Sequence, residues 1–582
     1  MPVNPPAAET VDDRTNRPLE EGRKLVFLLH AYTSSPAKLE PLRKEISRLW
    51  PDAEIVVPDL PLSTFSVADP NIIAATLARR IDEQFTSGHY TSIVLVGHSV
   101  GALLARKIYV IACGERERAP FEPGVRRALA ANHGLFEGFA WHKSIERLVL
   151  LAAMNRGWRV SHHISLTRAP LWAVGTLIGQ AIDLLTGRRP LILQVRRGAQ
   201  FITNLRVQWI VLRNAQRQEG IPGPLTIQLL GSRDDMVAPD DNVDLVSGSH
   251  FVYLDVPNST HANVIDVGDR DHGEGRLEVI RAALTESTDV LARLAVLPSD
   301  DHLVSPELDV THVAFVIHGI RDAGYWTHKI ARRVRRFGEA RNERWATETS
   351  SYGYFPMAPF LSPIGRRAKV EWMMDQYAES LAKYPNATFH YIGHSNGTYL
   401  LAKALQLYPG CRFGRVVFAG SVVRRRYDWT SAVTSGQVES VLNFVATADW
   451  VVAFFPRLFE FFPVQDLGSA GHLGFITRSG TLPQAIVENR RVRGRHDAGI
   501  REPLWDDIAR YVLDRRVPPG AAAHPSWFVR LLGGFPPVVW LFIVAVLCVI
   551  WWLISQATPD GFVEGFACAL YIVAIVGVLR SV

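Results

Sequence analysis

Ser92-Ile-Val-Leu-Val-Gly-His-Ser-Val-Gly-Ala-Leu-Leu-Ala105 is the stretch from which the rest of the chain can be read. Ile93 to Val96 is an apolar, largely β-branched run and predicts a buried strand. It enters the turn Gly97-His98-Ser99-Val100-Gly101. Beyond the turn, Leu103, Leu104, Ile108 and Ile111 recur at helical spacing. A strand, a sharp turn and a helix put Ser99 at the apex, with its hydroxyl above the sheet. Glycine is expected at 97 and 101 because a Cβ at either place would crowd the approach of helix to strand. The chain repeats the device at Phe389-His-Tyr-Ile-Gly-His-Ser-Asn-Gly-Thr-Tyr-Leu-Leu-Ala402, with Ser395 at the apex. Chance gives roughly 0.2 matches to Gly-x-Ser-x-Gly in a chain this long, so two matches in the same local context are a strong signal.

Working outward from Ser99, apolar strands alternate with helical patterns. Leu25–Leu29 and Glu54–Val57 read as strands before it, and Arg147–Leu151, Leu225–Leu230 and Phe251–Val256 as strands after it. Helices are expected near 37–49, 71–85 and 277–294. Around Ser395 the strands are His312–Ile317, Arg415–Ala419, Val441–Ala446 and Ala485–Glu488, with helices near 323–340, 369–384 and 502–513. Residues 352–360 read as an aromatic loop, and 454–475 as an aromatic insertion. Alternation of this kind implies a mostly parallel sheet flanked by helices, built twice. The matching order of parts suggests an internal duplication with a period of about 290 residues.

Both turns resemble the nucleophile elbow of the α/β-hydrolase superfamily, and the resemblance extends over about residues 23–513. It implies two α/β-hydrolase domains, 24–297 and 311–519, joined by a linker at 298–310 and preceded by a disordered lead-in at 1–23. A serine hydroxyl is a poor nucleophile at neutral pH and needs a base and an orienting acid. The family's order is Ser, then acid, then His. Carried onto this chain, it gives Ser99, Asp234 and His261 in the first domain and Ser395, Asp449 and His496 in the second. Asp234 lies in Gly231-x-x-Asp234 and Asp449 in Ala446-x-x-Asp449. Asp235 competes with Asp234, and His472 with His496, while His302 is too far along to compete with His261. The oxyanion-hole donors implied are the N–H groups of Val100 and Asn396, with Tyr32 and Ile320 from the loops His30-Ala-Tyr32 and His318-Gly-Ile320. His98 and His394 are expected to pack beneath their turns.

Residues 155–220 hold ten arginines against two acids, Asp183 and Glu219. Their position after the fourth strand is where this family inserts a helical cap. The expectations are a lid over the acyl pocket, its arginines solvated or resting on an anionic membrane surface.

With 582 residues the chain is too long for one core. The formal net charge is only +6, so the total gives no support to nucleic-acid binding. The four cysteines, Cys113, Cys411, Cys548 and Cys568, form no C-x-x-C pair, which fits a reducing compartment without a disulfide framework. No metal motif and no cofactor is expected, and the acidic stretch 266–272 reads as a solvated loop.

The tail is different. Residues 536–555 and 562–579 are two apolar runs separated by Gln556–Gly561 and preceded by a juxtamembrane linker, 520–535. Each is long enough to cross a bilayer, so a transmembrane hairpin over 536–580 is expected. Arg515, Arg516 and Arg530 before it, and Arg580 after it, put both ends and the globular domains in the cytoplasm. The expectation is therefore a membrane-anchored serine esterase acting on lipid-like or acylated esters. Thioesterase, amidase or other acyl-transfer chemistry, and a scaffold with one or both domains inactive, are the alternatives.

Overall fold

The computed structural model describes residues 23–581 other than 132, 160–168, 235–250, 297–305, 321, 323, 354, 462–464, 477–485, 521–523, 525 and 558–560. Asp235, His302, residues 1–22 of the lead-in and most of the linker lie outside the described residues.

Two six-stranded sheets organise the chain. The first runs β2-β1-β3-β4-β5-β6, with β1 at Lys24–Leu29, β2 at Glu54–Val56, β3 at Ser92–His98, β4 at Ile145–Leu151, β5 at Leu225–Gly231 and β6 at Phe251–Val256. The second comprises β7 (His312–Ile317), β8 (Trp345–Glu348), β9 (Thr388–His394), β10 (Phe413–Ala419), β11 (Val438–Ala446) and β12 (Val487–Val492). Its order, β8-β7-β9-β10-β11-β12, is that of the first sheet. All neighbouring strands are parallel. Parallel strands need crossovers that cover both faces, which is why β1, β3 and β7 read as nearly unbroken apolar runs.

In the first unit, Leu103 and Leu104 of the Val100–Ala112 helix and Ile73 of Pro70–Ser87 fill one face. Leu42 and Ile46 of Glu40–Leu49 and Ile280 of Gly273–Thr285 fill the other. The second unit is built alike. Val370 and Leu400, from the Pro363–Lys383 and Asn396–Leu407 helices, pack on one face. Ile330 and Val512, from Tyr325–Glu339 and Trp505–Asp514, pack on the other.

The expected elements form, with five corrections, one being that Met357–Leu361, at the end of the expected aromatic loop, is a helix. The 277–294 helix is two helices, Gly273–Thr285 and Thr288–Leu294. The edge strand β8 was not expected, because four residues, two of them polar, carry no readable period. The last strand is Val487–Val492 rather than Ala485–Glu488; its Asn489, Arg490 and Arg491 are tolerated because, among the described residues, it pairs with β11 alone. The stretch 520–535 is not a plain linker, since Trp527–Gly534 is a helix.

The arginine-rich segment holds the largest difference. Its Gln200–Glu219 helix lies between the Val100–Ala112 helix of the first unit and the Pro363–Lys383 helix of the second. The second helix presents Glu371, Asp375 and Glu379, spaced i, i+4 and i+8 and so on one face. Arg189 bonds Glu371 at 2.6 Å, and Arg196 pairs with the same carboxylate. Arg197 bonds Asp375 at 2.7 Å and Glu379 at 2.9 Å, Arg206 pairs with Asp375, and Arg156 with Glu379. Five of the ten arginines are therefore neither solvated nor turned to a membrane. They join the two units through partners that no local reading could supply.

In the tail, Pro536–Ala557 and Gly561–Ser581 are helices that touch along Trp551, Leu547 and Tyr571. Among the described residues, one helix is long and apolar enough to cross a membrane: Pro536–Ala557, with a mean hydropathy of 2.8. The apolar run Gly561–Gly577 is shorter.

Candidate active site

Both serines sit in strained backbone. Ser99 has φ 55° and ψ −114°, and Ser395 has φ 51° and ψ −118°. Such a conformation costs a non-glycine residue about 1–3 kcal/mol and persists only where the surroundings enforce it. They do so identically. Ser99 N–H donates to the Leu151 carbonyl at the end of β4, and Ser395 N–H to that of Ala419 at the end of β10, each at 2.9 Å. The helix behind Ser99 comes so close that a Cβ on Gly101 would stand 2.2 Å from the Leu29 carbonyl oxygen.

In the first unit the three expected residues meet. His261 Nε2 is 2.8 Å from Ser99 Oγ, and its Nδ1 is 3.1 Å from Asp234 Oδ2. Asp234 lies just past β5, where its N–H donates to the Gly231 carbonyl. His261 follows β6 in a turn held by Thr260 N–H donating to Asn263 Oδ1 at 2.6 Å. Ser99 and His261 are both buried.

In the second unit the acid and the base meet. His496 Nδ1 is 3.0 and 3.1 Å from the two oxygens of Asp449, and Asp449 also accepts from Val452 N–H at 3.0 Å. His472 does not contact Asp449 by hydrogen bond; its ring lies against Gly533. Burial alone would lower the pKa of His496, but the charge and hydrogen bond of Asp449 outweigh it and raise the value above an ordinary histidine. Burial likewise pushes the Asp449 carboxyl up, and His496 together with the Val452 N–H brings it below the usual range. Among the described residues, Ser395 Oγ makes no hydrogen bond to His496, unlike its counterpart Ser99.

Val100 and Asn396 are the first residues of their helices, so their N–H groups have no intrahelical acceptor. Tyr32 and Ile320 follow β1 and β7, the strands beside each elbow strand. Among the described residues, none of these four N–H groups has an acceptor. The β7 loop comes close to the serine: a Cβ on Gly319 would stand 2.7 Å from Ser395 Cβ. Ala31 occupies the corresponding place beside Ser99 and is buried. The loop histidines are structural braces, His30 Nε2 accepting from Leu60 N–H at 3.0 Å and His318 Nε2 bonding Ser351 Oγ at 2.7 Å.

His98 and His394 do more than pack. His98 Nε2 bonds the main-chain carbonyl of His261 at 2.8 Å, and His394 Nε2 that of His496 at 3.4 Å. Burial, then the neighbouring histidine, lowers each to about 4, so both rings are neutral and donate through Nε2–H. In that tautomer Nδ1 is an acceptor, and among the described residues no group donates to it in either ring. The same residue preceding both serines was the one sequence signal for this contact.

No protein-family model and no curated protein matches the sequence. Among solved structures, similar ones include phospholipase PlaB from Legionella pneumophila, at 12% identity and a TM-score of 0.30, covering 47% of this chain and 62% of that one. A lipase–esterase-related protein from Clostridium acetobutylicum is similar at 10% identity and a TM-score of 0.27, covering 45% and 94%. The NocB thioesterase domain is similar at 15% identity and a TM-score of 0.24, covering 45% and 95%. Likenesses this low assign no function.

Proposed function

We propose that the chain is a serine hydrolase that cleaves carboxylic esters through an acyl-serine intermediate. The observation that carries this reading is the continuous Ser99–His261–Asp234 hydrogen-bond chain beneath a strained elbow. Ser99 Oγ attacks the ester carbonyl carbon while His261 Nε2 takes its proton. The Val100 and Tyr32 N–H groups receive the charge that develops on the carbonyl oxygen. Collapse breaks the bond to the leaving alcohol, which takes the proton from His261. Water, deprotonated by His261, then releases the acid and restores Ser99. Asp234 holds the imidazole in the required tautomer. In the second unit, Ser395, His496, Asp449, Asn396 and Ile320 take the same roles, once Ser395 turns to His496.

The shared strand order and the near-identical elbows favour an origin by internal duplication. The tail anchors the protein as a two-helix hairpin with both ends in the cytoplasm, a reading supported by Arg515 and Arg516 before it and Arg580 after it. Long-chain or lipid-like acyl esters fit such an anchor. A second reading, in which the second unit is silent, is favoured by the missing Ser395–His496 hydrogen bond.

Hydrolysis of a water-soluble aryl ester by the detergent-solubilised chain tests the activity. Turnover by wild type should fall by at least a hundredfold in the Ser99→Ala, Ser395→Ala double variant; equal turnover by the two would refute it. Protease added outside intact cells should spare the globular units, and their digestion would overturn the stated orientation.

A further inference from the structure

We propose that Ser395 receives its substrate directly from the bilayer, as a long-chain acyl ester of a membrane lipid entering at the face of the second unit that the tail helices border. The inference rests on the serine-hydrolase reading of Ser395 and adds the route by which its substrate arrives.

The tail grips the second unit on both sides of the candidate site. On the acid side, Asp449 caps the Trp450–Phe459 helix. That helix carries Phe454, whose ring stacks on Trp540 at 4.7 Å and whose carbonyl accepts from the Trp540 indole at 3.3 Å. Trp540 belongs to Pro536–Ala557, the helix apolar enough to cross a membrane. On the opposite side, the aromatic loop after β8 reaches the elbow, with Tyr352 Oη 3.3 Å from Asn396 Nδ2. The same loop continues into the Met357–Leu361 helix, which packs on Gly561–Ser581. The two tail helices therefore straddle the edge of the sheet at which Ser395 stands.

A third element completes the surface. Ser526 N–H donates to the carbonyl of Thr447, two residues before Asp449, and starts the Trp527–Gly534 helix. Its inner side meets His472 and Arg457. Its outer side bears Trp527, Phe528 and Leu531, followed by Phe535; Trp527 is 77% exposed and Phe535 63%. Trp450, next to the acid, is also exposed. Exposed aromatic and aliphatic side chains on a short helix that leads into an apolar 22-residue helix suit a position at the bilayer interface. The continuity with Pro536–Ala557 identifies the occupant of this face as lipid rather than another protein.

The test uses the full chain in phosphatidylcholine vesicles, with a long-chain fluorogenic ester embedded in them and a short-chain ester in the water. Hydrolysis of the embedded ester should fall at least tenfold in Ser395→Ala and in a Trp527→Ser, Phe528→Ser, Leu531→Ser variant. The triple variant should keep fluorophosphonate labelling of Ser395, which shows that its site is intact. Embedded-ester hydrolysis that survives undiminished in either variant would overturn the proposal. A second readout needs no catalysis. An environment-sensitive fluorophore on Trp527→Cys, in a Ser395→Ala, Cys548→Ser background, should be quenched by brominated acyl chains, and absence of quenching would refute the bilayer contact. Failure of Ser395 to label while quenching persists would refute the hydrolase reading of that unit instead.

Discussion

The ring of His98 donates to the main-chain carbonyl of His261 across 2.8 Å, so the residue before the nucleophile holds the backbone of its base. Because the ring is buried and neutral, the contact is independent of pH across the working range. His98→Ala removes it and frees the His261 turn. Misplacement on the ångström scale costs catalysis about 10- to 100-fold. In a Ser395→Ala background, kcat of the soluble ester should fall by that factor with KM little changed. His98→Gln, which keeps a donor of similar reach, should recover part of the loss. A change confined to KM would show that His98 does not position the base.

The second unit should respond to pH in a defined direction. A base must be neutral to accept the serine proton, and Asp449 raises His496 above the ordinary histidine value of 6.5. Activity of Ser395 is therefore lost as pH falls through that raised value. Rates of fluorophosphonate labelling in a Ser99→Ala background should rise with pH to a midpoint above 6.5. A midpoint below 6.5 would contradict the Asp449–His496 pairing.

Asp375 binds Arg206 and Arg197 at the junction of the units, and Arg206 is almost wholly buried. Asp375→Ala leaves the buried charge of Arg206 without its carboxylate, while Arg197 keeps Glu379. Removing one partner of a buried pair costs about 3–5 kcal/mol. The denaturation midpoint should drop accordingly, whereas Arg501→Ala, which breaks an exposed i,i+4 pair with Asp497, should leave it unchanged. Equal responses would mean that the arginine bridge does not hold the units together.

Gly101→Ala would place a methyl group against the Leu29 carbonyl, in a space that no side chain can vacate. Overpacking of this kind costs about 1–3 kcal/mol and shifts the backbone. Labelling of Ser99 should be abolished while that of Ser395 persists. Normal labelling at Ser99 would show that the elbow is less constrained than its geometry implies.

The elbows, the central strands and the residues gathered at Ser99 were legible because their signals are local. Each strand is a short apolar run, and each turn has a fixed spacing. The edge strands β8 and β12 were harder, since a strand with one neighbour tolerates the polar residues Thr347, Asn489 and Arg490. His472 and His496 follow comparable signals, and only the fold decides which one reaches Asp449. The arginine-rich segment was misread for a different reason. Arg206 and Asp375 are 169 positions apart, and nothing near Arg206 announces its partner. The Glu371, Asp375 and Glu379 stripe was visible as a spacing, but its meaning depended on which helix would face it.

The central claim is that Ser99 is a nucleophile activated by His261. It is tested most directly by treating the folded, detergent-solubilised protein with a fluorophosphonate probe and mapping the adducts by peptide mass spectrometry. Wild type should carry an adduct on Ser99, and Ser99→Ala and His261→Ala should each abolish it. Folded wild-type protein with no adduct on Ser99 would contradict the account.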